Sequence, residues 1–187
     1  MILFINACVR KDSRTKKLAE RVLAKVGGDV KEVDLNGLDL PEVDESFIDW
    51  RNGCSERGDF ADPVFDLAKD FAAAETIVIA APFWDLSFPA RLKQYIEQIC
   101  VLGLTFDFSE KGEYSGRCSA EKLYYVTTAG GFIPSADFGY GYVKALAETF
   151  FGIGETCFVK AEGLDIVGAD IEAILEAAAA EAEERLF

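Results

Sequence analysis

Apolar runs of strand length alternate along this chain with stretches of helical period. Ile2–Asn6 is the first apolar run. Ser13-Arg14-Thr15 opens a segment whose Leu18, Ala19, Val22, Leu23 and Val26 share one helical face, and Gly27-Gly28 stops it. Val30–Leu35 alternates with period two, as a half-buried edge strand does. Residues 36–60, with Pro41, Gly53, Gly58 and many acids, predict a long irregular segment of the kind that serves as a lid or binding loop. A helix is predicted over 62–73 with Asp62 as cap, a strand over Thr76–Ala81, and a helix over Pro89–Gln98. Residues 100–120 read as an insertion with a short strand at Leu104–Phe108. Lys122–Thr127 is a fourth main strand, Tyr142–Phe150 a helix, Thr156–Lys160 a fifth strand, and Asp170 begins a final Ala/Glu-rich helix. Its Glu183-Glu184 pair is expected as solvated surface.

This order predicts one α/β domain over residues 1–187. Its expected form is a flavodoxin-like three-layer sandwich, a five-stranded parallel sheet in order 2-1-3-4-5 with helices on both faces. Ligands of such sheets bind beyond the carboxyl ends of the strands, where the strand order reverses. The loops after strands one, three and four should therefore share a ligand.

The loop after strand one carries five basic residues among the eight from Arg10 to Lys17. Ser13 and Thr15 are hydroxyls at a helix start, where backbone N–H groups favour an anion, and Arg10 or Arg14 can grip phosphate. The same loop also reads as a solvated basic turn in which Ser13 only caps the helix. It contains neither GxGxxG nor GxxxxGK[ST]. The loop after strand three reads Pro82-Phe83-Trp84-Asp85-Leu86-Ser87-Phe88, unusually apolar for a connection. Its rings suit either core packing, a subunit interface, or a platform for a flat heteroaromatic ring. The loop after strand four, Thr128-Ala129-Gly130-Gly131-Phe132, has adjacent glycines that let backbone turn sharply and approach a ligand. A phosphate at the first helix and a planar ring against the other two loops describe a mononucleotide such as FMN.

Composition narrows the chemistry. Thirty-three acids against nineteen bases give a net charge of −14, which disfavours nucleic acid and anionic membrane as partners. No apolar run approaches the roughly 20 residues of a membrane span. Met1 leads straight into the first strand without a basic leader, and the five cysteines form no CxxC pair, so a reduced, cytoplasmic protein is expected. The chain has no histidine, which excludes Ser-His and Cys-His catalysis and imidazole metal sites. Cofactor chemistry fits that absence.

On these residues the sequence resembles the FMN-dependent NADH azoreductase and NAD(P)H:quinone oxidoreductase family along nearly its whole length. Ala81-Pro82-Phe83-Trp84-Asp85-Leu86-Ser87-Phe88 and the following Leu92-Lys93-Gln94-Tyr95 are similar to the family's AP-M-Y-N-F … LK-x-Y stretch. Gly103-Leu104-Thr105-Phe106 and the Thr128–Gly131 loop continue the likeness, and Cys8-Val9-Arg10 with Ser13-Arg14-Thr15 stand at the family's phosphate segment. The resemblance implies a homodimer with FMN near the subunit interface and NADH or NADPH as co-substrate. Arg10, Ser13, Arg14 and Thr15 would face the phosphate. Pro82, Phe83, Trp84, Asp85 and Leu86 would line the flavin, and Thr128, Ala129, Gly130 and Gly131 would approach its edge. Phe106, Phe132 and Tyr140 are candidates for the pocket of a small aromatic acceptor, or plain core. Cys8, Asp85 and Ala129 depart from the pattern, where relatives usually have Ser, Asn and Arg. The implied activity is ping-pong hydride transfer to a quinone, azo or nitroaromatic acceptor. The alternatives are a flavodoxin-type electron carrier, an NAD(P)H:FMN reductase that releases its flavin, and a scaffold domain without cofactor.

Overall fold

The computed structural model describes residues 1–185. The acidic pair Glu183-Glu184 lies outside the residues whose side chains are described. Strands β1 (Ile2–Asn6), β2 (Val30–Asp34) and β3 (Thr76–Ala80) form one sheet with two later strands, β6 (Lys122–Thr128) and β7 (Glu155–Ala161). The order is β2-β1-β3-β6-β7, every pairing is parallel, and this is the 2-1-3-4-5 order predicted for the main strands. Alternate residues of the strands feed two separate cores. Leu3, Ile5, Ile77, Ile79, Leu123 and Tyr125 face one layer, and Ile2, Phe4, Val78, Ala80, Tyr124 and Val126 face the other. Helices α1 (Arg14–Val26) and α6 (Ile171–Arg185) cover the second face. Helices α3 (Asp66–Ala73), α4 (Ala90–Ile99) and α5 (Tyr142–Leu146) cover the first.

Two connections are more ordered than the sequence pattern predicts. Residues 36–60 contain a helix, α2 (Glu45–Arg57), where an irregular segment was expected. The Asp44 side chain caps its start by accepting from the Phe47 N–H at 2.8 Å, and Gly58, at φ 64°, closes its end. Of its thirteen residues only Cys54 is buried, so helical burial is weak. Trp50 anchors it by stacking on the buried Phe65 ring at 5.6 Å, and the Arg51 Nη1 donates to the Glu97 carbonyl. The insertion after α4 is a hairpin, β4 (Phe106–Phe108) and β5 (Tyr114–Gly116), paired antiparallel. Its Gly116 lies so close to the backbone of Phe151 and Gly152 that a Cβ would sit 2.1 Å from them. The predicted helix over 142–150 is α5 flanked by two π-helical turns, Asp137–Gly141 and Ala147–Phe151. Among the described residues no helix is long and apolar enough to cross a membrane.

Candidate functional site

The carboxyl ends of β1, β3 and β6 open onto a cleft of about 750 Å³. Two features bring its walls together. The Thr15 hydroxyl, in the first turn of α1, meets the Thr128 hydroxyl at the end of β6 at 2.6 Å, both side chains buried. The Phe83 N–H donates to the Thr128 carbonyl at 3.1 Å, tying the loop after β3 to the same strand end. Arg10, Ser13, Arg14, Thr15, Pro82, Phe83, Trp84, Thr128, Ala129 and Gly130, ten of the residues singled out from the sequence, all line the cleft. A second, similar-sized hollow at the amino ends of the strands is edged by ion pairs such as Lys122–Glu155. It lies at the end of the sheet opposite to where ligands bind in such folds.

The basic loop is less cationic than its composition implies. Arg14 pairs with Asp165 at 2.7 Å, Lys16 with Glu32 at 2.8 Å and Lys17 with Asp12 at 2.7 Å. The hydrogen bonds to Glu32 and Asp12 raise the Lys16 and Lys17 ammonium pKa values, and Lys17 lowers that of Asp12. Among the described residues Arg10 and Lys11 have no such partner, and only Arg10 of these two lines the cleft. Ser13 does cap α1, its Oγ accepting from the Lys16 N–H at 3.3 Å. The Arg14 and Thr15 N–H groups remain at the helix start, where no intrahelical carbonyl can reach them. Cys8, where a Ser was expected from the resemblance, is buried and takes its N–H to the Asn6 side chain, and burial pushes its thiol up to about 11. It packs in the core and does not line the cleft, and a thiol held protonated is a weak nucleophile.

The loop after β3 divides into rings that face different places. Phe88 packs against the core and meets the Tyr142 ring at 5.8 Å. Phe83 and Trp84 face the cleft, with Trp84 40% exposed. Asp85 and Leu86 do not line it. Trp84 and Ser87 exchange both backbone hydrogen bonds, at 3.1 and 2.7 Å, around a two-residue turn. Both central residues have positive φ, 50° at Asp85 and 68° at Leu86, as a type I′ turn requires. Asn and Asp tolerate that left-handed conformation better than other non-glycine residues. The position therefore selects its residue for backbone conformation, and Asp85 neither caps α4 nor reaches the cleft.

The double glycine after β6 also acts differently from expectation. Neither Gly130 nor Gly131 has positive φ. A Cβ at Gly130 would lie 2.0 Å from the Asp165 carboxylate, so the glycine makes room for that side chain. Gly131 does not line the cleft. Three acceptor candidates also separate. Phe132, 74% exposed, has its ring edge near Gly163 and does not itself line the cleft. Tyr140 stacks on Phe158 at 4.5 Å and bonds Thr156, a packing role away from it. Phe106 packs edge-on to Phe150 and lines a separate groove with Arg51, Cys100 and Leu102. Sequence reasoning missed Leu164, Asp165, Ile171, Glu172 and Leu175, which form the wall contributed by the last loop and α6. The fifth strand ends at the same edge of the sheet, and that placement is the signal that points to them.

The donor set suits a ligand with an anionic end and a flat end: Arg10, helix-start N–H groups and hydroxyls on one side, Phe83 and Trp84 on the other. A doubly wound parallel sheet with such a cleft at its switch point is the α/β class whose ligands bind beyond the carboxyl ends of the strands. More particularly, the chain belongs to the family described by the flavodoxin-like fold, whose model matches residues 1–186. It is 34% identical over 195 residues to FMN-dependent NADH:quinone oxidoreductase 2 of Clostridium acetobutylicum, a match covering 98% of this chain and 96% of that protein. It is 30% identical to the FMN-dependent NADH:quinone oxidoreductase of Clostridium beijerinckii, again covering 98% and 96%. The azoreductase structure from Bacillus anthracis superposes with a TM-score of 0.80 at 25% identity, over 98% of this chain and 97% of that one.

Proposed function

We propose that the chain is an FMN-dependent NAD(P)H oxidoreductase that reduces quinone, azo or nitroaromatic acceptors. The observation that carries this reading is the meeting, in one cleft, of Arg10, unpaired among the described residues, and the α1 start with the Phe83–Trp84 wall. Relatives matched from end to end are named FMN-dependent NADH:quinone oxidoreductases, which favours NADH and a quinone over the carrier reading. The hydride-accepting and hydride-donating chemistry between nicotinamide and acceptor would be supplied by FMN held in this cleft. The protein's part is to hold and to shield. Arg10, Ser13, Thr15 and the first N–H groups of α1 hold the phosphate, Arg14 adds its guanidinium, and Phe83 and Trp84 flank the ring. Thr128, Ala129 and Gly130 close the edge. Phe132 covers the acceptor, while Phe106 and Tyr140 stand apart from the cleft.

The chain acts as one unit over 1–187, in the cytoplasm, as a homodimer. Trp84, Leu86, Phe132 and Phe138 leave large apolar side chains exposed, which supports a partner surface of the same chain. Initial rates with NADH and a benzoquinone or azo dye, varied together, test the activity. Parallel double-reciprocal lines are expected; intersecting lines, or NADH oxidation only when free FMN is the acceptor, would favour the flavin-releasing alternative.

A further inference from the structure

Arg14 is held by one end only. Its Nη1 donates to the Leu164 carbonyl at 3.1 Å and to Asp165 Oδ1 at 2.7 Å. Its Nη2 and Nε have no partner among the described residues, and the side chain lines the cleft. The backbone that carries Asp165 is fixed independently of Arg14. Its N–H donates to the Gly130 carbonyl at 2.9 Å, the Leu164 N–H to the Ala129 carbonyl at 3.2 Å and the Gly163 N–H to the Gly131 carbonyl at 2.9 Å. The Asp165 carboxylate lies against Gly130, where any Cβ would collide with it. The ion pair is largely exposed, so it adds little to stability. Its consequence is directional: it fixes a planar donor group by one nitrogen and leaves the other donors free at the anionic end of the cleft.

We propose that Asp165 is a positioning residue: clamped over Gly130, it orients Arg14 so that the free Nε and Nη2 receive the phosphate of the cofactor. This rests on the flavin reading above and adds the residue that sets selectivity for the phosphorylated flavin. Mere charge would act the other way, since a carboxylate at this edge repels phosphate.

The test compares dissociation constants of FMN and riboflavin, read by quenching of flavin fluorescence, for the apo forms of the parent, Asp165→Ala, Asp165→Asn, Arg14→Ala and the double Ala variant. Loss of a placed charge-assisted hydrogen bond should cut the preference for FMN over riboflavin about tenfold in Asp165→Ala. The amide of Asp165→Asn still accepts from Arg14 and should restore the preference to within about threefold. In the Arg14→Ala background, Asp165→Ala should change nothing further. An unchanged or increased preference in Asp165→Ala overturns the proposal. So does an equal loss of FMN and riboflavin, which would mark Asp165 as a loop support only. Should the parent bind neither flavin, the cleft reading itself falls and takes the proposal with it. Should it prefer FMN regardless of Asp165, only the proposal falls.

Discussion

Arg10 carries the sharpest quantitative prediction. The first loop has five cations, but Arg14, Lys16 and Lys17 are each within 2.8 Å of a carboxylate. Arg10 and Lys11 are the unpaired ones among the described residues, and they differ in one respect: Arg10 lines the cleft and Lys11 does not. Replacing either by Ala removes the same unit charge. A charge-assisted hydrogen bond to phosphate is worth about 1.5–3 kcal/mol. Arg10→Ala should therefore weaken FMN binding roughly 10- to 150-fold. Lys11→Ala removes only a screened charge, and its effect should stay within about threefold at physiological salt. Riboflavin, which lacks the phosphate, should bind both variants as it binds the parent. Fluorescence titration of apoprotein with each flavin gives all the constants. Equal losses for Arg10→Ala and Lys11→Ala would refute the reasoning, because net charge rather than a placed contact would then govern affinity. A matching loss for riboflavin would refute it too.

Three further outcomes concern stability. The Tyr95 hydroxyl is fully buried without a hydrogen-bond partner among the described residues, so Tyr95→Phe should stabilise the fold by about 1 kcal/mol and raise Tm by about 2–4 °C; a lower urea midpoint would reveal a partner for that hydroxyl. Leu86, exposed at φ 68°, carries a left-handed penalty of about 1–2 kcal/mol, of which glycine's greater unfolded freedom cancels about half. Leu86→Gly should thus gain about 0.5–1 kcal/mol in calorimetry, whereas Leu86→Val should lose stability, and the reverse order would contradict the turn assignment. Burial holds the Cys8 and Cys100 thiols up at about 11, above their value in an unfolded chain near 8.5. Their contribution is complete below about pH 8 and is lost as pH rises toward 11, so urea midpoints at successive pH values should fall across that window; midpoints that rise there would be incompatible with protonated native thiols.

The central strands were legible because both of their faces are buried, and the edge strand β2 by its alternation. Runs such as Ile77-Val78-Ile79 have no solvent side to confuse the pattern. Helix α2 was written in the sequence but masked. Phe47, Trp50 and Cys54 stand at helical spacing between Asp44 and Gly58, yet Gly53 and the surrounding acids argue for a loop. Tertiary contact decided the matter, with Trp50 stacked on Phe65. The first three walls of the cleft followed from topology alone. The fourth was open to the same argument, since the fifth strand ends at that edge, but Asp165 belongs to no motif and takes its place only through the pairing of the last loop with residues 129–131. Asp85 was read for what its side chain offers, whereas the structure uses its tolerance of positive φ. Gly130, read as room for a ligand, also makes room for a neighbouring carboxylate.

The central claim is that this cleft holds FMN while hydride passes through it from nicotinamide to an aromatic acceptor. Anaerobic stopped-flow mixing of the FMN-loaded protein with NADH, followed by a second mix with a quinone, tests it directly. The visible flavin absorbance should bleach with one equivalent of NADH and return with one equivalent of quinone, the flavin remaining with the protein on gel filtration. Flavin that stays oxidised in the presence of NADH, or a protein that takes up no FMN, would contradict the account.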